Sequence, residues 1–209
     1  DGTSPLVGDR VQCSVDPQGH GRIDRVEARK NWFIRPTVAN IDALVFVAAN
    51  SNPVTDPFLI DRVSVIAEEA ECELILCLNK TDLNTGDELY KIFTEAGFPV
   101  IRTSAETGEG IEALRDALRG KISAFTGNSG VGKSSLLNRL LPGLNIPTAE
   151  VSEKLGRGKH TTRHTELFCL EEDSYVADTP GFASFEIEMM KHIPKENLSF
   201  DFRDFAPYI

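Results

Sequence analysis

Ile122-Ser123-Ala124-Phe125-Thr126-Gly127-Asn128-Ser129-Gly130-Val131-Gly132-Lys133-Ser134 is the stretch on which the fold turns. Its first five residues form an apolar run of strand length, Ile122–Thr126. Gly127 to Ser134 then matches G-x-x-x-x-G-K-[ST], and a helical pattern follows over Ser134–Leu141. Strand, glycine loop and helix in that order make a cradle for phosphate. Glycines let backbone N–H groups turn inward around phosphate oxygens without a Cβ in the way. The start of the helix adds a dipole that favours anions. In this reading Lys133 reaches the β- and γ-phosphates of a nucleotide and Ser134 gives its hydroxyl to Mg²⁺. The candidate phosphate-binding residues are Gly127, Asn128, Ser129, Gly130, Val131, Gly132, Lys133, Ser134 and Ser135. A plain glycine turn between a strand and a helix is the competing reading. The Lys-Ser pair in register, with the right flanks, weighs against it.

Upstream, Leu74-Ile75-Leu76-Cys77-Leu78 reads as a buried strand and runs into Asn79-Lys80-Thr81-Asp82. The carboxyl end of a strand in an open α/β sheet is where ligands bind. N-K-x-D there reads guanine: Asp82, an acceptor-only carboxylate when ionised, takes the N1–H and the exocyclic N–H. Adenine offers no such pair of donors, which disfavours an ATP-using protein. Asn79 and the stem of Lys80 support the base and the loop. A polar turn capping the next helix is the bland alternative, and the phosphate loop in the same chain weighs against it. One strand further on, Thr103-Ser104-Ala105 follows Val100-Ile101-Arg102 and resembles an element whose backbone meets the guanine O6; Ser104 and Ala105 join the candidates.

Downstream, Tyr175-Val176-Ala177 leads into Asp178-Thr179-Pro180-Gly181. D-x-x-G at this place sets Asp178 near Mg²⁺ and the Gly181 N–H toward the γ-phosphate; a turn rich in Asp, Pro and Gly is the alternative. Between the two motifs lies Gly156-Arg157-Gly158-Lys159-His160-Thr161-Thr162-Arg163. A GTPase needs a Thr there to complete Mg²⁺ coordination and sense the γ-phosphate. Thr161 and Thr162 both qualify. The residue after D-x-x-G, where a Gln commonly orients the attacking water, is Phe182, which forms no hydrogen bond. His160 is the attractive substitute because imidazole can orient or deprotonate water. An exposed loop His contacting phosphate or RNA is the equal alternative. Slow intrinsic hydrolysis, accelerated by a partner that engages the 156–164 loop, is the expectation.

From Ile41 onward strands and helices alternate: Leu44–Ala49, then a helix over Asp56–Ala70, Leu74–Leu78, a helix over Asp87–Ala96, Val100–Thr103, a helix over Ile111–Leu118, Ile122–Thr126, Ser134–Leu141, Glu166–Leu170 and Tyr175–Ala177. That alternation predicts an α/β fold with a mostly parallel sheet covered on both faces. Residues 1 to 38 differ. Val7-Gly8-Asp9-Arg10-Val11 and Gly21–Val26 alternate apolar and polar residues as half-buried strands do, which predicts a small β-domain or part of a barrel. Three regions are expected: 1–38, a partial β-barrel; 39–185, the nucleotide domain; and 186–209, the start of a further domain. No run approaches the ~18 apolar residues that cross a bilayer. The N-terminus lacks the parts of a signal peptide, and the missing initiator Met predicts a chain cut from a longer one. Cys13, Cys72, Cys77 and Cys169 form no C-x-x-C pair, which fits reduced thiols in the cytoplasm. A net charge of -10 disfavours broad binding to nucleic acid but leaves room for local basic clusters at 22–35 and 154–164.

The base-reading motif precedes the phosphate loop, the reverse of an ordinary Ras-like chain. N-K-T-D, T-S-A, G-N-S-G-V-G-K-S-S, G-K-H-T-T and D-T-P-G-F in that order resemble the circularly permuted ribosome-biogenesis GTPases of bacteria, most nearly the ribosome small-subunit-dependent GTPase A family. Arg35-Pro36-Thr37-Val38-Ala39-Asn40-Ile41-Asp42 looks like that family's barrel-to-GTPase junction, and Asp204-Phe205-Ala206-Pro207-Tyr208-Ile209 like the lead-in to its zinc domain. The resemblance implies an N-terminal OB-like barrel, a permuted P-loop GTPase domain and a C-terminal zinc-domain extension. It implies GTP and GDP with Mg²⁺ as ligands, a late role in small-subunit maturation, and hydrolysis stimulated by the small ribosomal subunit and its rRNA. It puts the family's proposed catalytic His on His160. Zn²⁺ is expected of the family, but its Cys/His ligands are not in this sequence. A monomeric, cytoplasmic protein with no membrane partner is expected. The rival is a nucleotide-gated RNA-binding module with negligible hydrolysis, suggested by Phe182 and the short barrel.

Overall fold

A computed structural model describes residues 4–34, 37–144, 146, 165–178 and 202. The elements run β1 (Val11–Val15), β2 (Gly21–Val26), β3 (Trp32–Ile34), β4 (Thr37–Ala39), β5 (Ala43–Ala49), α1 (Pro57–Glu69), β6 (Glu73–Asn79), α2 (Asp87–Glu95), β7 (Val100–Arg102), α3 (Ile111–Ala117), β8 (Ile122–Thr126), α4 (Lys133–Leu140), β9 (Glu166–Glu171) and β10 (Ser174–Asp178). β5 to β10 make a six-stranded sheet in the order β7-β6-β5-β8-β10-β9. Every neighbouring pair in it is parallel except β9 with β10. The mostly parallel sheet expected from the sequence is therefore present.

β5 is buried along its whole length, because helices cover both faces. Its side chains alternate between two cores. Leu44, Phe46 and Ala48 join Leu74, Leu76 and Leu78 of β6 under Ile60, Val63 and Ile66 of α1 and Leu89 and Phe93 of α2. Ala43, Val45 and Val47 join Ile75 and Cys77 under Ile111 and Leu114 of α3 and Leu136, Leu137 and Leu140 of α4. Each large apolar side chain so buried contributes about 1.5–3 kcal/mol. α1 starts where Asp56 accepts the Phe58 N–H at 3.0 Å, with Pro57 in the first turn, where its missing N–H costs nothing. Phe58 itself is exposed and lies under the Arg62 guanidinium; Ile60 turns into the core.

The chain enters the sheet at β5, runs outward through β6 to β7, then returns to β8 on the other side of β5. The β5–β8 boundary is thus the point where connections diverge in opposite directions, and a crevice opens there at the carboxyl ends of the strands.

The N-terminal region departs from the reading of the sequence. Residues 7–10 are not a continuous strand: Val7 makes a single parallel bridge to Val38, Gly8 takes φ +92, Asp9 accepts the Leu6 N–H at 2.7 Å, and the first named strand begins at Val11. A Cβ on Gly8 would collide with Ala39 O, so only glycine allows this close approach. Asp9 is pinned by Arg29 at 2.7 Å, which holds its carboxyl below the usual range. β2 pairs with β1, yet both are almost wholly exposed rather than half-buried. A β3–β4 hairpin, not expected from the sequence, packs Phe33 and Val38 onto the core. Asn31 fastens it: its amide donates to Ile41 O and Ala70 O, each at 2.9 Å, and accepts the Ile41 N–H at 2.9 Å. Among the described residues these two hairpins are all that stands in the expected barrel, and residues 186–201 and 203–209 of the expected third region lie outside the description. No helix among the described residues is long and apolar enough to cross a membrane. Cys72 and Cys77 are buried and free, and burial pushes both thiols up to about 12.

Candidate nucleotide site

The phosphate loop leaves the end of β8 beside β5. Gly127, at φ +134, passes so close to Val47 O that any Cβ would strike it. Gly132, at φ +98, begins α4, and a Cβ there would strike the Asn79 amide. The two glycines that the motif demands are thus demanded by packing as well. Val131 between them is fully buried, which anchors the loop.

Lys133 Nζ folds back over the loop and donates to Gly127 O at 2.5 Å and Asn128 O at 2.7 Å. Among the described residues no carboxylate pairs with it, and burial lowers its pKa from 10.5 to about 8. A poorly compensated ammonium among inward-turning backbone groups is the electrostatic counterpart of a polyphosphate. Ser134 and Ser135 follow in the first turn of α4 and are half-buried. Asp178 is the last residue of β10, whose Ala177 pairs with Ala124 of β8, so the strand ends beside the one that carries the phosphate loop.

Asn79, the last residue of β6, is 2% exposed and joins three segments. Its amide donates to Val131 O at 2.8 Å, tying the candidate phosphate loop to the candidate base-reading strand end. Its oxygen accepts from Thr103 Oγ1 at 3.2 Å and from the Ala105 N–H at 3.1 Å. The Ala105 N–H therefore points at Asn79. Lys80 takes the left-handed region, φ 64, and its Nζ donates to Asn52 O. Thr81 is fixed by Oγ1 bonds to Thr103 O at 2.9 Å and Glu109 Oε2 at 3.0 Å. Asp82 is exposed, and Ser104 Oγ donates to its Oδ1 at 2.6 Å, leaving the carboxylate aimed and still open to solvent.

The candidates from Asn79 to Asp82, Ser104–Ala105 and Gly127–Ser135 thus meet at one end of the sheet. Thr103, Glu109 and the Asn50–Pro53 loop also belong there: Pro53 Cδ lies 3.4 Å from where a Gly130 Cβ would sit. The loop after β5 carries no motif; the signal that could have found it is its place after an apolar strand, where open α/β sheets bind ligands. His160, Thr161, Thr162 and Gly181 lie outside the described residues. A separate cavity of about 930 Å³, lined by Asp9, Lys30, Asp42, Ile122 and Tyr175, opens at the opposite end, where β5, β8 and β10 begin, and takes no part in the site. Among the described residues no group of three His, Cys, Asp or Glu side chains converges as a metal cage would.

Comparison with known proteins agrees with this geometry. A family model described as RsgA GTPase matches residues 26–188. The protein "Small ribosomal subunit biogenesis GTPase RsgA" of Alkaliphilus metalliredigens is 44% identical over 210 residues, covering 98% of this chain and 71% of that protein. Its namesake from Thermotoga maritima is 46% identical over 200 residues, covering 91% of this chain and 68% of that one. Among solved structures, YjeQ from Thermotoga maritima superposes with a TM-score of 0.80 at 39% identity, covering 98% of this chain and 69% of that one. YloQ, described as a circularly permuted GTPase, superposes with a TM-score of 0.78 at 31% identity, covering 99% and 67%.

Proposed function

The chain belongs to the RsgA GTPase family, and from that premise we propose that it binds GTP with Mg²⁺ and hydrolyses it to GDP and phosphate in the service of small ribosomal subunit maturation. The observation that carries the reading is the Asn79 bond to Val131 O at 2.8 Å, which locks a guanine-reading strand end to a phosphate-binding loop. ATP and GTP share the phosphate half; only the Asp82 half distinguishes them.

In the working protein Asp82, aimed by Ser104, takes the N1–H and N2–H of guanine. Lys133 leaves the Gly127 and Asn128 carbonyls for the β- and γ-phosphates, and the loop N–H groups take the remaining oxygens. A hydroxyl from Ser134 at the head of α4 and a carboxylate from Asp178 at the end of β10 are hard oxygen donors of the kind Mg²⁺ requires. Bound there, Mg²⁺ would neutralise charge on the phosphates. Thr161 or Thr162 would complete that set, Gly181 would face the γ-phosphate, and His160 would orient the attacking water where Phe182 stands in place of Gln. Hydrolysis is slow until the small ribosomal subunit and its rRNA engage the 156–164 loop. The OB-like reading of 1–38, the nucleotide domain over 39–185 and a zinc-domain lead-in over 186–209 complete the proposal, as do a monomeric state and a cytoplasmic location. Zinc enters no step.

The test is GTP turnover by the full chain with and without purified small ribosomal subunits. A large stimulation is expected, and His160→Ala should abolish it while leaving GDP affinity intact. Rapid turnover without subunits would overturn the partner-dependent mechanism. Negligible turnover in both conditions, with GTP still bound, would favour the nucleotide-gated RNA-binding module.

A further inference from the structure

We propose that Arg139 is a positioning residue for recognition of the purine O6, acting through the backbone of the Ala105–Glu106 loop; this rests on the guanine reading above. Arg139 stands in the last turn of α4, and its planar fork takes two consecutive carbonyls. Nε donates to Ala105 O at 2.8 Å and Nη2 to Glu106 O at 2.7 Å. A guanidinium holding two acceptors is a geometric constraint that a flexible ammonium cannot reproduce. The grip is returned from the other side. Arg115 of α3, the helix that follows this loop, donates from Nη2 to Leu140 O at 2.8 Å, at the end of α4. The helix that begins at the phosphate loop and the loop beside the base are therefore clamped together twice.

The clamp decides which N–H faces the nucleotide. In a trans peptide the C=O and the following N–H point in opposite directions. With Ala105 O drawn to α4, the Glu106 N–H is turned away from α4. Its neighbours are already engaged: the Ala105 N–H with Asn79 at 3.1 Å, the Thr107 N–H with Ser104 Oγ at 3.1 Å. The Glu106 N–H has no hydrogen-bond partner among the described residues. Ser104, which begins the same loop, also holds Asp82 at 2.6 Å. On guanine the O6 stands next to N1 on the edge that Asp82 reads, so a base seated on Asp82 turns its O6 toward this loop. Glu106 N–H is the donor left for it, and Arg139 sets its direction.

A basic residue in the last turn of a helix also complements the dipole. That role alone would change stability and treat all nucleotides alike. The experiment therefore compares GDP, IDP and 6-thio-GDP binding to the full chain by calorimetry, for the unchanged protein, Arg139→Met and Arg139→Lys, with thermal melts alongside. IDP keeps O6 but lacks the 2-amino group; 6-thio-GDP keeps both Asp82 donors but offers a weak sulfur acceptor. Arg139→Met should weaken GDP and IDP by about fivefold, the factor one ordinary hydrogen bond is worth, and leave 6-thio-GDP almost unchanged. Arg139→Lys should fall between. Equal weakening of all three nucleotides, or no change in any, would overturn the positioning role. If the unchanged protein does not prefer GDP to 6-thio-GDP, the O6 reading itself fails, and Arg139 has nothing to position.

Discussion

Replacing Asn79 should do more damage than its lack of contact with the chemistry suggests. Asn79→Ala removes three hydrogen bonds at once, at 2.8, 3.2 and 3.1 Å. Val131 is fully buried, so its carbonyl is stranded; Thr103 keeps the Cys77 thiol at 3.2 Å; Ala105 is half-buried, so its N–H can find water. One stranded buried acceptor and two partly rescued donors together cost about 2–4 kcal/mol. In a chain of this size that lowers the melting temperature by roughly 5–15 °C. The loss should appear in nucleotide affinity as well, because the base-reading strand and the phosphate loop no longer share a fixed spacing. Asn79→Asp separates the two effects. It keeps an oxygen for Thr103 and Ala105 but sets a second oxygen against Val131 O. If the tie to the phosphate loop is what matters, Asn79→Asp should lose GDP affinity by about tenfold to a hundredfold, no less than Asn79→Ala, a difference of about 1.4–2.8 kcal/mol. Calorimetric titration with GDP beside thermal melts reads both quantities. Retention of GDP affinity by Asn79→Asp, whatever its melting temperature, would refute the argument that this bond couples the two halves of the site.

Asp82→Asn exchanges an acceptor for a donor facing N1 and N2, so GDP should weaken by at least tenfold while xanthosine diphosphate, whose C2 carries an oxygen, should gain; unchanged GDP affinity would remove Asp82 from the base contact. The pH dependence of binding follows from Lys133, whose pKa in the free protein is about 8 against an ordinary 10.5. Below that value the ammonium is already charged and binding moves no proton at this side chain; above it the free amine is neutral, and phosphates that require the charged form must draw a proton in. Affinity for GDP should therefore fall by about tenfold between pH 7 and pH 9, with proton uptake visible as a dependence on buffer ionisation enthalpy. A flat profile would contradict the buried, uncompensated state of Lys133, and Lys133→Met should flatten it by design.

How much was legible in the sequence depended on whether the deciding contact was local. β5 and β6 are buried on both faces, so they read as unbroken apolar runs, and the loops after them fall where parallel sheets bind ligands. The phosphate loop was legible because its glycines answer a steric demand at fixed spacing. The N-terminal region was not. Residues 7–10 alternate like a strand, but Gly8 must approach Ala39 O and Asp9 must meet Arg29, contacts across the chain that leave no periodic trace. The β3–β4 hairpin was hidden for a related reason: Asn31 and Ile41 hold it from outside its own span. Within the site, Lys80 and Arg139 meet backbone carbonyls, and a carbonyl has no letter in the sequence. The motif gave Lys80 a supporting role without its carbonyl partner, and Arg139 carried no signal at all.

The sheet also explains why reversal of the motifs is harmless. The crevice belongs to the β5–β8 boundary, where one set of connections runs out to β7 and the other to β9. Rotating the chain order to β8-β9-β10-β5-β6-β7 would leave every strand neighbour unchanged, and with them Gly127 against Val47 and Asn79 against Val131. Rotation exchanges one connection for another: the link from β7 through α3 to β8 would be cut and one from β10 to β5 made. With the phosphate loop first, the residues after Asp178 would have to lead into β5 and would be tied at both ends to the sheet. In the present order β5 is entered from the hairpin below, with Asn31 gripping Ile41 and Asp42 donating its N–H to Ile122 O at 2.8 Å. The end of β10 at Asp178 therefore need not lead into β5. In a GTPase the segment after such a strand end is the one that senses the γ-phosphate, and in this order the sequence that follows Asp178 is not also the link into β5.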